Sequence, residues 1–138
     1  MSLFEKCRLI KLKNFNDNRG KLVVIENGET IPFIIKRLFY IYDTNYSAVR
    51  GKHANKKTEF VLINLSGSCE IRVTDSKKEA LFKLDSPLSG LYIPKMIWKD
   101  MFHFTDDCVL LILASEHFSP DEYIRDYKEY EEFMINNR

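Results

Sequence analysis

Short apolar runs recur about every ten residues along this chain, separated by turn-forming residues. Residues 7–12, 20–26, 33–42, 60–66, 69–74, 79–84, 90–93, 101–104 and 108–114 each read as a strand. Several alternate apolar and polar positions, as in Glu70-Ile71-Arg72-Val73-Thr74, the pattern of a strand with one buried face. The breaks carry turn chemistry: Asp17-Asn18-Arg19-Gly20, Ser66-Gly67-Ser68, Thr74-Asp75-Ser76 and Asp85-Ser86-Pro87. Short strands at this spacing predict an all-β sandwich or barrel over about residues 1–118.

The period then changes. Ser119-Pro120-Asp121-Glu122 has the form of a helix start, with Ser as N-cap, Pro at the first position and Glu at the third. Tyr123, Tyr127, Tyr130 and Met134 follow at helical spacing and predict one packed face, set against the barrel or a second subunit. The expected architecture is a single domain, residues 1–138, in which a C-terminal helix over about 119–135 closes a β-barrel or jelly roll.

One segment breaks the apolar rhythm. Arg50-Gly51-Lys52-His53-Ala54-Asn55-Lys56-Lys57 packs four cations, an imidazole and an amide between two apolar runs. A strand there can bring Arg50, Lys52, Asn55 and His53 to a pocket. The chain as a whole is balanced, with 21 Lys and Arg against 20 Asp and Glu. A nucleic-acid-coating protein needs a clear basic excess, so the local cluster suits a small anion such as a pyrophosphate. No run of about 18 uncharged apolar residues suggests a membrane span. Charges at Glu5, Lys6 and Arg8 interrupt any signal-peptide core, and a cytoplasmic protein is expected. Cys7, Cys69 and Cys108 are odd in number and read as small structural hydrophobes.

The histidines divide by context. His53 lies in the polar segment; it is either a site residue or a surface-loop histidine. His103, between Phe102 and Phe104, either lines a cavity or points to solvent, and His117 precedes the expected helix cap. His53-x-Asn55-x-x-x-Glu59 approximates the first metal motif of cupin barrels, and residues 90–99 approximate the second. An amide and a lysine stand where imidazoles would bind, so no metal is expected. There is no Gly-x-Ser-x-Gly elbow and no glycine-rich phosphate loop. What remains is acid–base chemistry by one imidazole among cations, assisted by a tyrosine phenol.

Blocks spread over nearly the whole chain carry a family resemblance. They are Asp17-Asn18-Arg19-Gly20-Lys21-Leu22-Val23, Ile31-Pro32-Phe33, Ile35-Lys36-Arg37-Leu38-Phe39-Tyr40-Ile41 and Arg50-Gly51-Lys52-His53-Ala54. Leu65-Ser66-Gly67-Ser68-Cys69, Gly90-Leu91-Tyr92, Trp98, Leu113-Ala114-Ser115 and Asp121-Glu122-Tyr123-Ile124-Arg125 continue them. In order and spacing these resemble the sugar 3,4-ketoisomerases of the cupin superfamily, which act on dTDP-4-keto-6-deoxyglucose on the way to deoxyamino sugars of surface glycans.

The resemblance implies a cofactor-free and metal-free tautomerisation. A base removes the C3 proton beside the C4 ketone, and the enediol is reprotonated at C4. His53 falls on the first histidine of the family's Arg-Gly-x-His-Ala-His motif and is the implied base. Arg37 and Arg50 are the implied ligands of the pyrophosphate or a sugar oxygen, Tyr40 a donor to the sugar or enediolate, and Trp98 either a thymine stacker or core. Asn55 replaces the motif's second histidine. Lys99 stands at a position that, with Arg19, differs between galacto- and gluco-producing members; Arg19 resembles the galacto type and Lys99 neither. Lys99 could take the second acid–base role if Arg50 and Lys52 lower its pKa. The implied partners are a dTDP-linked sugar and a second copy of the chain in a homodimer, with no nucleic acid and no membrane. A non-catalytic sugar-nucleotide binder, favoured by Asn55, and a 3,5-epimerase-like activity are the alternatives.

Overall fold

In the computed structural model, which describes residues 1–137, twelve strands and one α-helix follow in order. They are β1 (Arg8–Lys11), β2 (Lys13–Asp17), β3 (Gly20–Val24), β4 (Arg37–Tyr42), β5 (Arg50–Asn55) and β6 (Phe60–Ser66). Then come β7 (Cys69–Thr74), β8 (Glu79–Leu84), β9 (Ser89–Ile93), β10 (Trp98–Phe102), β11 (Val109–Ala114), β12 (Tyr123–Ile124) and α1 (Tyr127–Asn136). Two five-stranded antiparallel sheets, β1-β9-β6-β11-β4 and β12-β5-β10-β7-β8, face each other as a jelly roll whose sheets do not close. β2 and β3 form a separate hairpin.

The core lies between the sheets. Inward positions of β6, β7, β9 and β11 supply Phe60, Leu62, Ile71, Val73, Leu91, Ile93, Leu110 and Ile112, all buried. Alternation of β4 turns Phe39 and Ile41 towards this core and leaves Leu38, Tyr40 and Tyr42 exposed on the other face. A second apolar cluster covers part of the outer face of the first sheet, with Leu12 and Ile31 over Val61, Ile63 and Leu113.

Strand bounds shift, with β4 starting at Arg37 rather than residue 33 and β10 running Trp98–Phe102 rather than 101–104, and two further elements differ outright from the sequence expectation. Lys13–Asp17, too polar to read as a strand, pairs with β3 across the two-residue turn Asn18-Arg19, where Asp17 Oδ1 accepts from the Arg19 amide at 2.8 Å. The C-terminal helix begins at Tyr127, not near Ser119. Ser119 makes no side-chain cap hydrogen bond, and Pro120–Glu122 form a single 3-10 turn. The chain then extends so that Tyr123 and Ile124 pair with Asn55 and Ala54 on the edge of β5. Sheet-edge pairing wins over the local helix signal, and Asp126 caps α1 instead, accepting from the amides of Lys128 and Glu129. Tyr123 therefore leaves the helical stripe. Tyr127, Tyr130 and Met134 pack over Trp98 and Ile124, and the Tyr130 hydroxyl lies 2.7 Å from the Met96 carbonyl oxygen.

Candidate active site

The backbone of β5 determines which of its polar residues meet. A bulge interrupts its pairing with β10: Lys99 is opposite His53, whereas Asp100 is opposite Gly51. Lys52 is the extra residue, at φ 56°, after Gly51 at φ 82°. In an unbroken strand, Arg50 and His53, three residues apart, would point to opposite faces. The bulge resets the alternation, so Arg50, Gly51 and His53 line one cavity of about 250 Å³. Lys52 turns away to the outer side of the same sheet, beside Arg72 and Asp100, and does not join them.

This cavity has two unlike walls. Phe39, Ile41, Phe60, Leu62 and Ile112 from the first sheet are apolar; Arg50, His53, Lys99, Tyr123 and Arg125 from the second are polar or charged. Tyr123 meets the His53 ring edge-on, with centroids 4.9 Å apart, and the Arg125 guanidinium stacks 4.5 Å above the Tyr123 ring. Burial, then the Lys99 and Arg125 charges, push the His53 imidazole down from its ordinary 6.5 to about 3. It is neutral at pH 7. Its Nδ1 is buried and has no hydrogen-bond partner among the described residues.

Lys99 is 3% exposed. Its amine donates to Asn55 Oδ1 at 3.3 Å and lies 4.6 Å above the Phe60 ring. Burial lowers its pKa from 10.5 to about 7, against the opposing pull of Glu122, Cys7 and Asp100. The expected lowering is present, but its cause is desolvation rather than Arg50 and Lys52, both of which are exposed. Asn55 is buried behind Lys99, and its Nδ2 donates to Glu122 Oε2 at 3.0 Å.

Other residues singled out in the sequence lie elsewhere. Tyr40 is 61% exposed on the outer face of β4, opposite in direction to Phe39 and Ile41, so within this chain it does not reach the cavity. Tyr123 is the phenol that does. Trp98 points away from Lys99, its strand neighbour, into the cluster under α1, and its Nε1 donates to Asp100. Of the two readings of Trp98, the core one matches this placement. Arg19 is exposed at the β2–β3 turn in an ion pair with Asp17 at 2.7 Å. Arg37 stacks over Phe39 and Phe118, and its Nε and Nη2 are buried with no partner among the described residues. Such nitrogens call for an anion. His103 is exposed and paired with Glu70 at 2.8 Å, outside the cavity lining. Tyr123 and Arg125 line the cavity and Glu122 lies behind Asn55; in the sequence their block reads as the start of a helix, which gives none of them a place at the site.

The fold is a cupin-type jelly roll, and its cavity sets a neutral imidazole opposite a buried amine across one strand ladder, beside arginines and an apolar wall. The chain belongs to the FdtA family (WxcM-like, C-terminal), whose sequence model matches residues 5–135. It is 42% identical over 127 residues to the TDP-4-oxo-6-deoxy-alpha-D-glucose-3,4-oxoisomerase of Aneurinibacillus thermoaerophilus, covering 92% of this chain and 91% of that protein. A 3,4-ketoisomerase from Helicobacter canadensis superposes with a TM-score of 0.92 at 42% identity, covering 94% of this chain and 98% of the other. The sugar 3,4-ketoisomerase QdtA from Thermoanaerobacterium thermosaccharolyticum, solved in complex with TDP, has the same TM-score and identity over 95% and 96% of the two chains.

Proposed function

We propose that this protein is a sugar-nucleotide 3,4-ketoisomerase acting on a dTDP-linked 4-keto-6-deoxyhexose. The observation that carries the reading is the facing pair His53 and Lys99 in a cavity with one cationic and one apolar wall. It is supported by the similarity to 3,4-ketoisomerases over nearly the full chain.

His53, held neutral, takes the proton from C3. The C3–H electron pair becomes the C3=C4 bond of the enediol, and the C4 carbonyl oxygen accepts a proton. Lys99 titrates near neutrality, so its ammonium and amine forms are both populated at pH 7. It supplies that proton, and the Arg50 and Arg125 charges stabilise the developing oxyanion. Loss of the O3 proton and protonation at C4 complete the 3-keto sugar with no net oxidation. Arg37, with its unpartnered guanidinium nitrogens, is assigned to the pyrophosphate. Asn55 acts behind Lys99 and not as a second proton carrier. Arg19, Tyr40 and Trp98 do not line this cavity, and any substrate role for Arg19 or Tyr40 would be exercised from a second subunit.

The protein is further proposed to be a homodimer working in the cytoplasm on precursors of surface glycans. The dimer reading is supported by β4, a sheet edge whose outer face exposes Leu38, Tyr40 and Tyr42. The cytoplasmic one is supported by three free cysteines. No described helix is long and apolar enough to cross a membrane.

Incubation with dTDP-4-keto-6-deoxyglucose in deuterium oxide tests the activity. A 3-keto product with label at C4 is expected. Label at C3 and C5 would make the protein an epimerase, and dTDP binding without any exchange would make it a non-catalytic binder.

A further inference from the structure

Glu122 is a buried carboxylate outside the cavity lining, and the reaction as read above makes no use of it. Its Oε1 accepts from the backbone amides of Lys57, at 2.9 Å, and Thr58, at 3.0 Å. Its Oε2 accepts from the Thr58 hydroxyl and from Asn55 Nδ2. Burial alone would raise the pKa of this carboxyl, but these donors hold it below its usual range, so it is an anion at neutral pH.

An ionised carboxylate only accepts hydrogen bonds, and an ammonium only donates them. A side chain bridging the two must present a donor to one and an acceptor to the other. Asn55 does so: its amide nitrogen faces Glu122, and its carbonyl oxygen is thereby turned to Lys99 Nζ. A carboxylate cannot take its place without repelling Glu122, and an apolar residue would leave Lys99 Nζ without this acceptor and Glu122 with its Lys57 and Thr58 donors alone.

We infer that Glu122 is a positioning residue for the isomerisation: through Asn55 it holds the Lys99 amine on the cavity wall facing His53 and sustains its protonated form. The inference rests on the acid–base role given to Lys99 above. The titratable and charged groups around Lys99 are Glu122, Cys7 from the segment ahead of β1, Asp100 on its own strand and His53 opposite. Arg50, Tyr123 and Arg125 complete the polar wall. Among the groups that favour the ammonium, Glu122 acts most strongly. A purely structural carboxylate, present only to satisfy the Lys57 and Thr58 amides, would change stability when altered and leave Lys99 untouched.

The test follows the NMR titration of the Lys99 side chain in the full-length protein, assigned by its loss in Lys99→Met. The pH dependence of kcat on dTDP-4-keto-6-deoxyglucose is measured in parallel. Glu122→Gln keeps the shape and removes the charge. The Lys99 midpoint is expected to fall by about one pH unit, a tenfold shift of the ammonium–amine ratio. The kcat limb should move with it, while KM changes less than about threefold. A folded Glu122→Gln protein with an unmoved midpoint overturns the inference. If Glu122→Gln does not fold, Asn55→Leu decides, because it leaves Glu122 its contacts with Lys57 and Thr58: a lowered midpoint supports the inference and an unchanged one overturns it. Normal turnover by Lys99→Met would instead sink the acid–base role of Lys99, while the NMR midpoint still decides the part played by Glu122.

Discussion

His53 and Lys99 are direct cross-strand partners on β5 and β10, so their side chains leave the same face of the sheet and enter the same cavity. Directly opposed residues in an antiparallel ladder have Cβ atoms about 5 Å apart, close enough for each charge state to control the other. Burial is the main reason His53 stays unprotonated, and a protonated Lys99 adds to it. A base kept deprotonated beside a group able to donate is the arrangement a tautomerase needs.

Removing the imidazole should therefore stop the chemistry while sparing recognition. His53→Asn is expected to lower kcat by about 10²–10⁴, the span of general acid–base catalysis. Arg37 and Arg50 stay in place, so the affinity for dTDP, read by calorimetry, should change by less than about threefold. A variant that kept its turnover would remove His53 from the mechanism.

Lys99 carries a cost in stability whose sign follows from its titration. Folding moves its pKa from 10.5 to about 7, so between those values the unfolded chain binds more protons than the folded one. Stability should then rise with pH from about 7 to 10, and the penalty of burying the charge is fully present below 7. Lys99→Met replaces a buried charge by an apolar side chain of similar length. It should be more stable by about 1–2 kcal/mol at pH 6–7 in urea unfolding, lose that pH slope, and lose turnover. A less stable Lys99→Met protein would show that the amine's contacts with Asn55 and Phe60 outweigh its desolvation.

Much of this site was legible in the residues, and the misses have common physical causes. The strands from β6 to β11 and the polar segment at His53 were readable because apolar alternation and turn chemistry are local. Which face a residue occupies is not local, although parity constrains it. Trp98 and Lys99 are adjacent on β10 and cannot share a face, and Arg37 and Tyr40, three apart on β4, cannot either. One of each pair had to point away from the interior, and Arg37, on the same side of β4 as Phe39, does not line the cavity either. The same parity rule would have separated Arg50 from His53, and only the bulge at Gly51–Lys52 reverses that. Glu122, Tyr123 and Arg125 were hidden for a different reason. Their local sequence has a helix-start signature, and the free edge of β5, a partner about 70 residues away in sequence, overrides it.

The outer face of β4 gives a test of assembly. Leu38, Tyr40 and Tyr42 alternate on one exposed face of an edge strand, an arrangement monomeric proteins seldom leave open. Leu38→Glu with Tyr42→Glu should convert the expected dimer to a monomer in light scattering, with far-ultraviolet circular dichroism unchanged. If the doubly substituted protein keeps its mass in solution, the contact lies on another surface.

The bulge itself can be tested at Gly51. Its φ of 82° is a region that side-chain-bearing residues adopt only under strain, and an added Cβ would sit 2.9 Å from the Lys99 carbonyl oxygen and 3.4 Å from Met101 Cε. The carbonyl belongs to β10 backbone and cannot rotate aside, so relief must come from β5 moving away from β10. That movement separates His53 from Lys99. Gly51→Ala should destabilise the fold by about 1–3 kcal/mol in urea unfolding. At temperatures where the variant is still folded, kcat should fall more than about tenfold, because small misplacements of reacting groups are costly. Thr74→Ala, on β7 of the same sheet but outside the cavity lining, is the comparison. It removes the Thr74 hydroxyl's hydrogen bond to the Lys78 carbonyl and so also destabilises the fold, yet should leave kcat near that of the unmodified protein. Equal losses of kcat in the two variants would mean that general stability, and not the bulge, governs the site.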